Sequence, residues 1–246
     1  MGGISLTVAS GVTRIQALGV TVIPLKDENP SKRFPVVTLT LIAANLAAFI
    51  YMLSLGKGAE QLVYRMGVVP HNIVSVGLPA YPTLFTSMFL HAGWAHILGN
   101  MLYLWIFGDN IEDFLGKTRF IVFYLACGFI ASFAHILTQA SSQVPTIGAS
   151  GAISGILGGY MLLYPKARVL TVIPLGYFIR LIKLPAVAVL GIWILIQFFS
   201  GLASLPGSAG EGGVAWFAHI GGFIGGLVLI RVLGWGKKPR RVGNGQ

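Results

Sequence analysis

Long apolar runs separated by short polar breaks constrain this chain more than any other feature of its sequence. Six such segments occur, at residues 36–55, 92–110, 119–138, 149–164, 184–203 and 214–235. Most approach the roughly 20 residues that a helix needs to cross a bilayer. The composition agrees, because 10% of the residues are charged, whereas a soluble domain has about 25%. We therefore predict an all-α polytopic membrane protein with six transmembrane helices.

The lysine and arginine residues predict the orientation of the chain in the membrane. With the N-terminus in the cytoplasm, six crossings leave two of the 17 basic residues outside, Lys57 and Arg65. This distribution accounts for the net charge of +10, so no nucleic-acid partner is predicted. The single cysteine, Cys127, excludes an intramolecular disulfide framework and a multi-cysteine metal site. No cofactor and no metal are predicted.

The fourth segment is too short to cross the membrane as an ordinary helix. Residues 149–164 would form a helix about 24 Å long, against a hydrocarbon core of about 30 Å. The segment is rich in glycine, alanine and serine, which is typical of a helix packed among other helices. With its cytoplasmic end near Pro165, the preceding loop must dip into the protein. Ser150, at the start of this helix, is predicted to lie in a recess below the outer surface.

Three other polar side chains are predicted at the depth of Ser150, because segments two, four and six all begin on the outer side. His96 and Asn100 are four residues apart and so share a helix face, about one to two turns into segment two. His219 lies about six residues, or roughly 9 Å, into segment six. Polar groups at this depth are costly, so they are candidates for function.

These four residues are of the types that nucleophilic catalysis requires. A serine hydroxyl needs a base to take its proton, and histidine is the usual base. The oxyanion formed in acyl transfer needs fixed donors, which His96, Asn100 and the Ser150 backbone N–H can supply. The pattern therefore predicts a serine hydrolase, with Ser150 as nucleophile and His219 as base.

Other intramembrane chemistries lack their characteristic residues in this sequence. The H-E-x-x-H motif of a metalloprotease is absent. An aspartyl protease needs two aspartates within its spans, but none of the seven acidic residues is central to a segment. A proton-coupled transporter would also need such an acid, and the inner halves of the segments contain no polar path for a channel. The alternative that stays open is a catalytically silent binder of transmembrane helices.

Helix packing explains some of the small residues without any catalysis. Ser154 is expected to hydrogen-bond to its own helix. Glycines of segments four and six have the small-xxx-small spacing of helix contacts; they are Gly151, Gly155, Gly159, Gly222 and Gly226. The two roles are compatible, because glycines that draw these helices together would also bring Ser150 to His219.

In this order, the motifs resemble those of the rhomboid family of intramembrane serine proteases, over roughly residues 36–235. "GASG" at 148–151 is similar to the family's nucleophile motif, and "AHIGGFIGG" at 218–226 to its sixth-helix motif. "HAGWAHILGN" at 91–100 is similar to its second-helix motif. The resemblance implies a six-helix bundle with a short central fourth helix. It also implies a catalytic Ser–His dyad, with His96 and Asn100 stabilising the oxyanion and His91 structural.

Three further positions bear on this resemblance. "EDFLGKTRF" resembles the family's cytoplasmic Glu…Arg loop, which implies structural roles for Glu112 and Arg119. Many members carry a Trp-Arg pair shortly before the second helix, where this chain has "YPTLF". Some members also stack a tyrosine on the catalytic histidine, and here Ser154 occupies that position. These departures concern the packing of the first loop and the placement of the His219 ring.

The resemblance implies that the substrates are transmembrane helices of other proteins in the lipid bilayer. A helix hides its carbonyl groups, so we expect helix-weakening residues near the cut and a small residue before it. Access beside segment five would make its aromatic residues Trp193, Phe198 and Phe199 a movable wall, whereas simple packing against lipid is the alternative. The sequence contains no indication of the oligomeric state.

We predict a cytoplasmic N-terminal tail at 1–35, a catalytic bundle at 36–235 and a basic cytoplasmic C-terminal tail at 236–246. The long first loop, residues 56–90, is predicted to lie partly in the outer interface. With no transit segment or large soluble domain evident, the expected location is a prokaryotic plasma membrane.

Overall fold

The computed structural model describes residues 14–15, 20–21, 23–175, 178–204 and 214–239. The remaining parts of both predicted tails and the segment 205–213 lie outside the described residues. The helices are α1 (Val36–Ser54), α2 (Gly58–Met66), α3 (Pro70–Ser75), α4 (Thr83–Thr86), α5 (Trp94–Leu115), α6 (Lys117–Thr138), α7 (Ser150–Leu163), α8 (Ala186–Ala203) and α9 (Trp216–Leu233). The strands are β1 (Arg14–Ile15), β2 (Val20–Thr21), β3 (Ile23–Asp27), β4 (Arg168–Leu175) and β5 (Phe178–Pro185), and two 3₁₀ turns lie at Leu78–Ala80 and Ser87–Phe89.

Each of the six predicted apolar segments coincides with one of the longer helices, α1 and α5–α9. Four of them, α1, α6, α8 and α9, are long and apolar enough to cross a membrane. Helix α7 is apolar but has 14 residues, and α5 carries acidic residues near its C-terminal end, among them Asp109 and Glu112. The molecule thus has the architecture of a polytopic helical membrane protein, with four candidate spans by length and composition among the residues that the structure describes.

Helix α7 lies at the centre of the bundle, as the sequence predicts. Every residue from Gly151 to Tyr160 is buried, and the helix packs against α5, α6, α8 and α9. Its large side chains join aromatic residues of α5 and α6 in the main core, for example Phe107 and Phe123. A helix that is apolar on all sides is suited to this interior position.

Glycines bring the backbones of α7 and α9 into direct contact. A Cβ atom on Gly222 would overlap the carbonyl oxygen of Gly151, and one on Gly226 would overlap that of Gly155. In the other direction, a Cβ on Gly158 would overlap the carbonyl oxygen of α9 residue Phe223. The predicted packing role of Gly151, Gly155, Gly222 and Gly226 is confirmed, since a side chain on Gly222 or Gly226 would force the two helices apart.

A three-stranded antiparallel sheet in the order β3–β4–β5 corrects the expectation of an all-α chain. Arg168 is opposite Pro185 in the β4–β5 pair, and Ile23 is opposite Val172 in the β3–β4 pair. The hairpin occupies the predicted loop between segments four and five, and β3 belongs to the predicted N-terminal tail. The β-branched residues 169 and 171–173 favour a strand, a signal obscured by the prolines in this segment.

Asp27, at the end of β3, joins the sheet to the helices. Its Oδ2 atom accepts a hydrogen bond from the Tyr160 hydroxyl of α7 at 2.6 Å and one from Asn110 Nδ2 of α5 at 3.1 Å. Burial raises the pKa of the Asp27 carboxyl group from 3.8 to about 7, against the opposing effect of the Tyr160 hydrogen bond. Next to it, Glu28 forms an ion pair with Lys183 of β5.

Glu112 and Arg119 both stabilise helix ends, in keeping with the structural roles that the resemblance implies. The Glu112 carboxylate accepts the backbone N–H groups of Val37 at 2.9 Å and Thr38 at 2.8 Å, at the start of α1. A negative charge is favourable there because these N–H groups have no partner within the helix. Arg119 donates to the carbonyl oxygen of Leu233, at the end of α9, at 2.8 Å.

We expect Gly226→Ala to lower the free energy of unfolding by about 1–3 kcal/mol, because the added methyl group collides with the α7 backbone. Gly191→Ala on α8 is the matched control, since a Cβ there would meet nothing within 4 Å. The control should be neutral, or stabilising by up to about 1 kcal/mol, from the better helix propensity of alanine. Thermal unfolding in detergent measures both variants, and equal melting temperatures would contradict the contact.

The free energy of unfolding should depend on pH through Asp27. Its pKa is raised from 3.8 to about 7 in the folded protein, so the folded state binds this proton more tightly than the unfolded chain. The resulting stabilisation is complete below about pH 4 and is lost as the pH rises through about 7. Asp27→Asn should reduce the dependence of the denaturation midpoint on pH over this range. Glu60→Gln, on exposed α2, should follow the wild-type curve; identical slopes in all three proteins would refute the assignment.

Candidate active site

Ser150 and His219 face each other where α7 and α9 begin. Ser150 is the first residue of α7, and His219 lies in the first turn of α9. The Ser150 Oγ atom is 2.8 Å from His219 Nε2, which is a normal distance for a hydrogen bond. The two residues that the sequence predicts to meet are therefore in direct contact, next to the glycine contact of α7 with α9.

The second ring nitrogen of His219 contacts a residue that sequence reasoning missed. Gln197 of α8 places its Oε1 atom 2.7 Å from His219 Nδ1. Gln197 is also buried, with a relative exposure of 3%. The sequence held one signal for it, because α8 is otherwise apolar except for Ser200. That signal did not show which face of α8 would be directed at the histidine.

Aromatic rings surround the imidazole of His219. The ring centroid of Trp193 lies 5.8 Å away with an interplanar angle of 37°, and that of Trp216 lies 6.5 Å away, edge-on. Ser154 does not reach this ring, because its hydroxyl donates to the Ser150 carbonyl oxygen at 2.6 Å, as predicted. Where some family members use a tyrosine from the helix of the nucleophile, Trp193 supplies an aromatic neighbour from α8.

His96 borders the space beside the Ser150 hydroxyl. A Cβ atom on Gly148 would lie 2.8 Å from His96 Nε2 and 3.7 Å from Ser150 Oγ. Gly148 has a φ of +125°, a conformation suited to glycine, and its lack of a side chain lets the His96 ring lie close to it. His96 Nδ1 accepts the Ala92 backbone N–H at 3.4 Å, a long hydrogen bond that favours the tautomer with the proton on Nε2. His96 can thus donate a hydrogen bond beside the serine.

Asn100 lies one turn deeper in α5 than His96. It is buried, and its Nδ2 atom donates to the His96 carbonyl oxygen at 2.9 Å, which leaves a second amide hydrogen for another acceptor. Among the hydrogen bonds of the described residues, none joins Asn100 to Ser150. His91 is buried, and its ring packs edge-on against the His96 ring with centroids 5.0 Å apart, consistent with the structural role expected for it.

The first loop holds the segment that leads to Ser150. Val68 and Thr146 form a pair of backbone hydrogen bonds of 3.0 and 2.7 Å, and the Gly148 N–H donates to the Ser87 carbonyl oxygen at 2.9 Å. These contacts satisfy irregular backbone that would be costly in the membrane if left unpaired. Within the described residues, no group of three or more His, Cys, Asp or Glu side chains is arranged to hold a metal ion.

Comparison with known proteins identifies the family of this chain. A family model for the rhomboid domain matches residues 79–236, which is more than half of the chain. The chain belongs to the rhomboid family. Together with the apolar helices long enough to cross a bilayer, this membership makes it an integral membrane protein.

Two of the related proteins are named as rhomboid proteases. The chain is 29% identical over 202 residues to the rhomboid protease GluP of Bacillus subtilis, covering 81% of this chain and 35% of that protein. It is 32% identical over 128 residues to the putative rhomboid protease YdcA of the same organism, covering 52% and 62%. It is 34% identical over 171 residues to RHOMBOID-like protein 4 of Arabidopsis thaliana, covering 64% and 39%. The chain thus matches less than two thirds of the length of each of these relatives.

Proposed function

We propose that this rhomboid protein is an intramembrane serine endopeptidase that cleaves transmembrane segments of other membrane proteins. The observation that carries the proposal is the 2.8 Å contact between Ser150 Oγ and His219 Nε2. A serine becomes a nucleophile when a base accepts its proton, and this contact supplies the base. The protease names of related proteins support the same reaction class.

In the proposed reaction, Ser150 Oγ attacks the peptide carbonyl carbon while its proton passes to His219 Nε2. The tetrahedral intermediate collapses, the C–N bond breaks, and the same proton passes to the leaving amine. Water from the outer side then loses a proton to His219 and attacks the acyl ester. The carboxylic acid leaves, and the proton returns to Ser150 Oγ.

The developing oxyanion would lie beside Gly148 and the Ser150 hydroxyl. Our proposed donors are His96 Nε2–H, which lies close to Gly148, and the backbone N–H of Ser150, with the free amide hydrogen of Asn100 as a third. Fixed donors of this kind contribute roughly 3–4 kcal/mol each to transition-state stabilisation. The Ser150 N–H is available because the first N–H groups of a helix have no partner within it.

We propose that six helices cross the membrane, with both termini in the cytoplasm. Helices α5 and α7, which are not among the four candidate spans, can also lie in the membrane. The acids of α5 lie at its cytoplasmic end, where Glu112 is hydrogen-bonded, and α7 is enclosed by other helices. The domains would be the tails 1–35 and 236–246 around a catalytic bundle at 36–235. In this orientation the sheet lies on the cytoplasmic side and the first loop on the outer side, in a prokaryotic plasma membrane.

The substrate must expose a carbonyl group that a helix would hide, so the cleaved segment has to unwind locally. Glycine or proline near the cut would favour unwinding, and a small residue before the cut would fit the restricted space at Gly148. We propose entry beside α8, on which Phe198 and Phe199 are exposed and contact each other edge to face, with ring centroids 5.7 Å apart.

A fluorophosphonate probe, which reacts with activated serines, tests the dyad without knowledge of the substrate. We expect the wild-type protein to be labelled at Ser150, and His219→Ala to reduce the labelling rate by about 10³-fold or more, because the base is lost. Mass spectrometry measures the labelling of the peptide that contains position 150 in the wild-type, Ser150→Ala and His219→Ala proteins.

Ser154→Ala is the matched control, since Ser154 lies one turn along the same helix and its hydroxyl donates to the backbone carbonyl oxygen of Ser150, not to the histidine. It should be labelled like the wild type. A folded wild-type protein that fails to label would instead favour a catalytically silent binder of transmembrane helices.

Entry beside α8 predicts that Phe199→Ala accelerates cleavage about threefold, since a smaller wall lowers the barrier to substrate entry. A single-span reporter protein with a Gly-Ala-rich outer helix end, reconstituted in vesicles, measures the rate. Phe133→Ala is the control, because Phe133 is also an exposed phenylalanine but lies on α6 and not on α8. A lower melting temperature without faster cleavage would show that Phe199 only packs against its neighbours.

A further inference from the structure

Gln197 is a buried amide in a helix that is otherwise almost wholly apolar. Burying an amide without hydrogen bonds is costly in proteins, so a buried amide needs a hydrogen-bond partner. That partner is His219, whose Nδ1 atom is 2.7 Å from Gln197 Oε1. The contact joins α8 to α9 over a separation of 22 residues.

The chemistry of the contact fixes the tautomer of the imidazole. Gln197 Oε1 can only accept a hydrogen bond, so His219 Nδ1 must carry the proton. The lone pair of the neutral ring is then on Nε2, the atom that lies 2.8 Å from Ser150 Oγ. This is the tautomer in which His219 can accept the serine proton.

A second side chain of α8 restrains the same ring. Trp193 is four residues before Gln197, so both lie on one face of the helix, and its ring packs beside His219 at 5.8 Å. The ring is therefore held at its edge by the amide and on its side by the indole. This arrangement fixes the orientation of the imidazole as well as its tautomer.

We propose that Gln197 is a positioning residue for His219. Ser150, His219 and Gln197 then form a hydrogen-bonded triad in which a neutral amide takes the place of the usual carboxylate. The proposal rests on the proposed function, because it assigns His219 the role of base. Gln197 touches neither substrate nor reacting atoms and acts through the imidazole. It aligns Nε2 but gives the imidazolium less electrostatic stabilisation than a carboxylate would.

The test measures labelling of Ser150 by a fluorophosphonate probe as a function of probe concentration and pH, which separates the maximal rate kinact from the half-saturating concentration KI. We expect Gln197→Leu, similar in size but without an acceptor, to lower kinact about 10- to 100-fold while KI changes less than threefold. Leu195→Ala, an exposed position on the same helix, should leave both constants unchanged.

Gln197→Glu separates positioning from simple packing. The carboxylate keeps a hydrogen-bond acceptor for His219 Nδ1, so the kinact of Gln197→Glu should lie within about tenfold of the wild-type value. It also stabilises the imidazolium, so the acidic limb of the pH profile should move to higher pH. If Gln197→Leu does not fold, as judged by thermal melting, this pH profile alone decides.

Two results would overturn the inference. One is an unchanged kinact in folded Gln197→Leu, and the other is a Gln197→Glu profile whose acidic limb does not move. Both leave Ser150 labelled in the wild type, so the proposed function would survive. If wild-type Ser150 is not labelled at all, the proposed function fails and the role of Gln197 fails with it.

Discussion

The direct backbone contact between α7 and α9 is the constraint on which the rest of this structure depends. Glycine carbonyl oxygens of α7 occupy the positions where side chains of α9 would otherwise begin. The separation of the two helices is therefore determined by main-chain atoms and not by side chains that can change rotamer. Since Ser150 and His219 lie at the adjoining ends of these helices, the same contact determines the distance between hydroxyl and imidazole.

Helix α7 is also held at both of its ends. The segment before Ser150 is paired with the first loop through Val68 and Ser87, which controls the irregular backbone around Gly148. At the opposite end, Tyr160 donates to Asp27 of the sheet. A short helix that does not fill the membrane needs such partners, because its terminal polar groups lie within protein and not in water.

The apolar segments predicted the long helices to within a few residues, because apolar run length is a local property of the sequence. The Ser150–His219 contact was also predictable, since their depth and the glycine spacing on both helices point to one meeting place. The sheet was not predicted: its strands lie in segments that prolines and charges mark as loops, and β3 pairs with a hairpin more than 140 residues away. Gln197 was missed because its contact depends on the rotation of α8 about its own axis, which the apolar sequence of that helix does not determine.

The neutral amide of Gln197 also affects how this protein enters its membrane. A charged side chain at the centre of a helix costs about 2.5–3.5 kcal/mol during insertion into the bilayer. This cost arises before any hydrogen-bond partner is in place. An amide carries no charge, so α8 can enter the bilayer first and acquire its hydrogen bond to His219 when the helices assemble. An aspartate at the same position would have to cross the apolar core unpaired. Biosynthesis therefore favours a neutral side chain at this position of the bundle.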